Sequence, residues 1–77
     1  MNRTLVLDVT DRSPRESQGR LLQAFDRALV GDTIKLLSDT GVNPVCQILF
    51  EEREGQFVSR VHKEAPGEWV AQIKKTR

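Results

Sequence analysis

The chain has 77 residues, 38% of them hydrophobic, and a formal net charge of +1. A chain of this length forms one compact domain, here residues 1–77. No apolar run exceeds three residues, whereas a membrane-spanning helix needs about 20, so we expect no membrane partner. Twelve basic residues nearly balance eleven acidic ones, which gives the chain no general attraction to nucleic acid.

The cysteine and histidine content bears on the compartment and the cofactors. Cys46 has no second cysteine to pair with, so no internal disulfide can form, which favours a reducing compartment and hence the cytoplasm. We also expect no secretory leader, because the apolar stretch after Arg3 is short and stops at Asp8. One cysteine and one histidine cannot form a structural zinc site, and we expect no metal and no other cofactor.

The first part of the chain predicts a strand and a helix. The β-prone segment Leu5–Val9 is typical of a buried strand. Ser13 can cap a helix, with Pro14 at its first position and Glu16 where a capping box places its carboxylate. Gly31 is expected to end this helix. Its apolar residues follow at helical spacing: Leu21, Leu22, Phe25, Ala28 and Leu29.

The remaining segments alternate in type until a final hairpin. They are predicted as a strand over Thr33–Leu37, a helix that Asn43 caps and Gly55 ends, a strand over Phe57–Val61, a turn at Ala65–Gly67 and a strand over Trp69–Lys74. Strands joined by a helix are normally parallel, and the last two strands should form an antiparallel hairpin. The order β-α-β-α-β-β therefore predicts an α/β two-layer sandwich, with a mixed four-stranded sheet and two helices on one face.

Short motifs in the chain occur in a characteristic order: Leu7–Val9, Arg12–Pro14, Gly31–Thr33 and the acidic Asp39. In this order they resemble the SirA/TusA-like superfamily, in which an L-D-x strand end leads to a Cys-Pro helix start and then to a P-G-[ED]-x strand entry. The part that ends in a strand around Trp69 is similar to an uncharacterised branch of that superfamily, which often accompanies hemerythrin-like and denitrification-associated proteins. The resemblance covers about residues 5–74 and implies a bacterial setting in redox or sulfur-related metabolism.

The chain departs from these relatives at the positions that would carry their chemistry. Ser13 stands where TusA-type carriers have the cysteine that accepts a persulfide, and a hydroxyl does not carry sulfane sulfur. The uncharacterised branch commonly has histidines in two regions that here read Arg15–Gln18 and Asp39–Thr40. The resemblance therefore implies neither a sulfur relay through Ser13 nor metal or haem binding by those two regions.

One rim of the predicted sheet gathers several polar residues. Both helices follow parallel strands, so Arg12, Ser13 and Asp39 are expected near this rim, with His62 at the end of the third strand. Cap, turn and solvated-surface roles explain them as well as a site does. Cys46 falls in the first turn of the second helix, where it is either a reactive thiol on the rim or a small buried apolar residue. No complete catalytic set is present, so we assign no catalytic residue.

The sheet face that points away from the helices is the predicted contact surface. Strand alternation places an apolar and basic set there: Val6, Lys35, Leu37, Val58, Arg60, His62, Val70, Gln72 and Lys74. The residues of this set on the last two strands form the predicted interface, namely Val58, Arg60, Val70, Gln72 and Lys74, with Val58 at its centre. The face is either plainly solvated or an interface with a protein partner or a second copy.

These observations favour a small cytoplasmic module that binds rather than catalyses. One alternative is a thiol-dependent sulfur or redox carrier that uses Cys46. A second alternative is nucleic-acid binding through the basic sheet face, which rests on fold analogy. The open face has no aromatic residue for base stacking, so the protein partner is preferred.

Overall fold

The computed structural model of the chain describes residues 2–77. Its elements follow the predicted order: β1 (Thr4–Asp8), α1 (Pro14–Arg27), β2 (Thr33–Ser38), α2 (Asn43–Glu52), β3 (Phe57–Ala65) and β4 (Glu68–Lys75). The strands form one sheet in the order β1-β2-β4-β3. β1 and β2 are parallel, and β4 is antiparallel to both of its neighbours, β2 and β3. The predicted α/β class and the mixed sheet are confirmed.

The first helix begins where its sequence signature predicts. Ser13 is the N-cap, and its hydroxyl oxygen accepts a hydrogen bond of 3.2 Å from the backbone N–H of Glu16. Pro14 occupies the first turn, where its missing N–H costs no helical hydrogen bond. The Glu16 carboxylate does not reach back to the cap, because it accepts a hydrogen bond of 2.6 Å from Nη1 of Arg12. The capping box is therefore half formed.

Ser13→Ala is expected to lower the free energy of unfolding by about 1 kcal/mol, because the Glu16 N–H loses its side-chain acceptor. Urea denaturation followed by circular dichroism measures this loss. Thr76→Ala, at an exposed hydroxyl that caps no helix, serves as the control. A midpoint that Ser13→Ala leaves unchanged would show that the cap contributes nothing to the fold.

Two predicted helix boundaries are wrong by a few residues. α1 ends at Arg27, not at Gly31, and Leu29 beyond it is exposed instead of joining the apolar stripe. Gly31 lies in the turn before β2 with φ of 97°, a left-handed conformation that glycine adopts at little cost. At α2, Val42 is the N-cap and Asn43 is the first helical residue, without a side-chain cap hydrogen bond. The burial of Val42 in the core accompanies this earlier start.

The core lies between the helices and one face of the sheet. It is built from alternate residues of β2 and β4 and from the inner stripes of both helices: Leu21, Phe25, Ile34, Leu36, Val45, Leu49, Ala71 and Ile73 are all buried there. The helix layer covers this face only, because α1 and α2 both pack on the side to which these strand residues point. The opposite face has no helix over it within residues 2–77.

A buried carboxylate fastens the N-terminal segment to the turn before β2. Asp32 accepts hydrogen bonds of 3.0 Å from the backbone N–H of Leu29 and of Arg3, and a third of 3.0 Å from Nη2 of Arg3. These hydrogen bonds, the Leu29 N–H foremost, hold the pKa of Asp32 below its ordinary value. The sequence does not predict this structural role of Asp32, which stands there only within the Gly31–Thr33 motif.

Candidate functional site

We define the open face as the sheet surface opposite the helices. The strand register places twelve side chains on it in three rows: Thr4, Thr33, Lys74 and Val58; then Val6, Lys35, Gln72 and Arg60; then Asp8, Leu37, Val70 and His62. Every residue that strand alternation assigned to this face is in these rows. The period of two residues along each strand explains the agreement, because one correct position fixes the side of all the others.

The apolar residues of the open face are distributed differently from the prediction. β4 pairs with β2, so β3 is an edge strand and Val58 lies at the margin of the face, not at its centre. Val58 is 58% exposed and Val6, on the opposite edge strand, is 64% exposed. In the centre Leu37 is half-buried, and Val70 is only 3% exposed between its row neighbours Leu37 and His62. The exposed apolar surface is therefore at the two edges.

Charge divides the open face into two halves along the strands. Arg60 and Lys74 lie in the two rows nearest the N-terminal end of β2, where they line a shallow hollow of about 410 Å³. A second hollow of about 380 Å³ lies at the other end, and four carboxylates line it: Asp8, Asp39, Glu64 and Glu68. Lys35 lies in the second row, but its side chain lines this second hollow. Hydrogen bonds from the side chain and backbone of Thr10 hold the pKa of Asp8 below its usual value.

Half of this acidic end, Glu64 and Glu68, lies outside the predicted strands and is not among the predicted site residues. Glu68 is two residues from Val70 and therefore lies on the same face of the sheet. A predicted strand that began at Glu68 instead of Trp69 would have included it on the open face. Continuing the alternation of β3 beyond His62 would likewise have placed Glu64 on this face, and the two side chains lie close enough for a hydrogen bond of 3.1 Å between Nε2 and Oε1. Alternation does not reveal the bulge between Lys63 and Ala65, where the register with β4 shifts.

The four residues predicted at the rim are not gathered into one site. Arg12 and Ser13 are both engaged with Glu16 in the first turn of α1. Asp39 is exposed and lines the acidic hollow of the open face. His62 lies in the third row of that face, beside Glu64.

Cys46 is in the core and not on the rim. The residue is 3% exposed and packs in the same buried cluster as Val42, Val45 and Leu49. Burial raises the pKa of its thiol to about 11, which opposes formation of the thiolate. The helix start therefore does not activate this thiol, because its side chain is buried in the core instead of exposed to solvent.

The described residues offer no other site of familiar chemistry. Within residues 2–77, no group of three or more histidine, cysteine, aspartate or glutamate side chains is arranged to hold a metal ion. Neither helix in that range is long and apolar enough to cross a membrane. The open face combines charges of both signs with exposed apolar residues at its two edges. Other exposed apolar residues lie outside this face: Leu29, Val30, Phe50 and Val61.

The fold and this surface define a small two-layer α/β protein with an uncovered sheet face. Residues 6–75 match the family described as "Uncharacterized conserved protein (DUF2249)", so the chain belongs to that family. No curated protein and no solved structure matches the chain.

Proposed function

We propose that the protein is a non-catalytic binding module and that the open face is its contact surface for another protein. The observation that carries this proposal is the exposure of Val6 and Val58 on a sheet face without a helix over it. Single exposed apolar residues are ordinary, but here they flank a continuous sheet surface with unpaired charges. An apolar and charged mixture of this kind is typical of interfaces that form and dissociate.

The geometry favours this proposal over the two alternatives. A sulfur or redox carrier needs an accessible thiolate, and the thiol of Cys46 is buried with a pKa of about 11. Nucleic-acid binding needs a face of one sign, whereas the acidic end of the open face would repel phosphates. A protein partner with charges of both signs can be complementary to the basic half and to the acidic half of the open face.

The biological setting of the module comes from the resemblance of its motifs to SirA/TusA-like proteins. On that basis we place it in the bacterial cytoplasm, in redox or sulfur-related metabolism. Its role there would be accessory, since Ser13 replaces the persulfide-accepting cysteine and acts as a helix cap. The partner would then be held by the sheet face instead of by the helix start.

Val58→Glu tests the contact surface. The substitution should leave the fold intact, because Val58 is exposed on an edge strand. It should weaken binding or self-association by ~10-fold or more, because a hydrated carboxylate replaces an apolar side chain in the contact and must lose its water there. Sedimentation velocity measures self-association, a pull-down from the native host measures partner binding, and circular dichroism verifies folding.

The matched control is Val61→Glu, the same substitution on the same strand. Val61 is also exposed, but it pairs with the buried Ala71 and therefore points to the helix side of the sheet. We expect Val61→Glu to retain association. Equal association of the wild type and both variants would contradict the open face as the contact surface.

A further inference from the structure

We propose that the occupant of the open face is a second copy of this chain, packed face to face about a two-fold axis that runs across the strands. This inference rests on the proposed function, because it needs the open face to be a contact surface. The axis reverses the strand direction of one copy relative to the other. The basic half of each copy then lies on the acidic half of its partner.

The charges that this arrangement uses are free within the chain. Lys35, Arg60 and Lys74 form no ion pair within residues 2–77, and neither do Asp39 and Glu68 in the same range. Several charged side chains on the helix surface, in contrast, already form ion pairs within the chain, such as that between Arg53 and Asp26. The open face thus keeps both signs of charge available for an intermolecular contact.

The register identifies which charges would meet. Lys74 lies in the first row on β4, and Glu68 lies six residues away on the same strand, beyond the third row. An axis that crosses the strands midway between these residues places Lys74 of each copy opposite Glu68 of the other. In this arrangement Glu64 of the second copy faces the first row of β3, near Val58. Arg60 lies in the next row, close enough for its long side chain to reach that carboxylate.

The other face-to-face arrangement brings like charges together. A two-fold axis along the strands would superimpose the two acidic ends, with Asp39 of one copy close to Glu68 of the other. Like charges that face each other cost several-fold or more in affinity. A two-fold interface uses the same patch on both subunits, so a patch that is basic at one end and acidic at the other suits the strand-reversed arrangement alone.

The size of the face sets the strength of the dimer. Four strands about 4.8 Å apart and seven residues of about 3.3 Å give a face of about 19 by 23 Å, or roughly 440 Å² per copy. Stable interfaces bury about 800 Å² per partner. The dimer should therefore be weak, form at high protein concentration and dissociate further as salt screens the charges.

Charge reversal provides the test, with sedimentation velocity from about 10 µM to 1 mM protein as the measurement. Lys74→Glu alone and Glu68→Lys alone should each weaken self-association by ~10-fold or more, because each places like charges opposite each other. An equimolar mixture of these two variants should recover association, since both charge pairs are then opposite in sign. The double variant Lys74→Glu/Glu68→Lys should recover it as well.

Arg15→Glu and Glu54→Lys are the matched controls, because both residues are exposed and lie on the helix side of the chain. Neither should change self-association beyond the effect of net charge. Failure of the mixture to recover association would overturn the strand-reversed arrangement.

A wild type that stays monomeric throughout the concentration range would overturn the second copy as occupant. Loss of a different protein's binding in Val58→Glu would then still support the proposed function. Unchanged binding in that variant would contradict both the open face as the contact surface and the second copy as its occupant.

Discussion

Phe25→Ala is expected to lower the free energy of unfolding by about 3–5 kcal/mol. The ring of Phe25 is fully buried and meets that of Phe57 edge to face, with 5.9 Å between centroids. The ammonium group of Lys75 lies 4.9 Å from the Phe25 centroid. Total stability for a chain of this length is about 4–12 kcal/mol, so the substitution should remove at least about a quarter of it.

Urea denaturation at 25 °C, with circular dichroism as the readout, measures this loss. Phe50→Ala is the matched control, because Phe50 also meets Phe57 edge to face, at 5.1 Å, but is 56% exposed. Its truncation should cost about 1 kcal/mol or less, since little apolar area is returned to water. A smaller loss for Phe25→Ala than for Phe50→Ala would show that the ring of Phe25 is not central to the core.

Cys46 is expected to react with iodoacetamide at least about 100-fold more slowly in the folded protein than in concentrated urea at pH 8. Burial raises its pKa from the ordinary value of 9.0 to about 11, and this difference of about 2 lowers the thiolate fraction about 100-fold. Restricted access of the reagent to the core lowers the rate further. Because the thiolate is the reacting species, the native rate should still rise as the pH increases beyond 9.

The alkylation rate is followed by intact mass at fixed times, with free cysteine at the same pH as a reagent control. Equal rates for the folded and unfolded protein would contradict the buried thiol. That result, or a persulfide trapped on Cys46, would restore the sulfur-carrier alternative.

Much of the fold could be predicted because its signals are local. The helix start at Ser13 depends on residues within one turn, and the side of each strand residue depends on simple alternation. The final hairpin follows from the short turn that contains Pro66 and Gly67. These features do not require knowledge of which strands become neighbours.

The missing parts of the site depended on information that a local pattern does not contain. A helix residue turns by about 100° per position, so the uncertain start of α2 left the direction of Cys46 open. The position of Val58 at an edge follows from the pairing of β2 with β4, which is a choice made across the whole sheet. Glu64 lies beyond the predicted end of β3, next to a bulge that a local pattern does not reveal.

The strand order also determines when the protein can fold during synthesis. β4 is synthesised after β1, β2 and β3, yet it occupies an interior position between β2 and β3. Before it emerges, β3 has no strand to pair with, and the core lacks Ala71 and Ile73. Nascent chains that end before β4 therefore expose the inner edge of β2, and the sheet cannot close until β4 has left the ribosome.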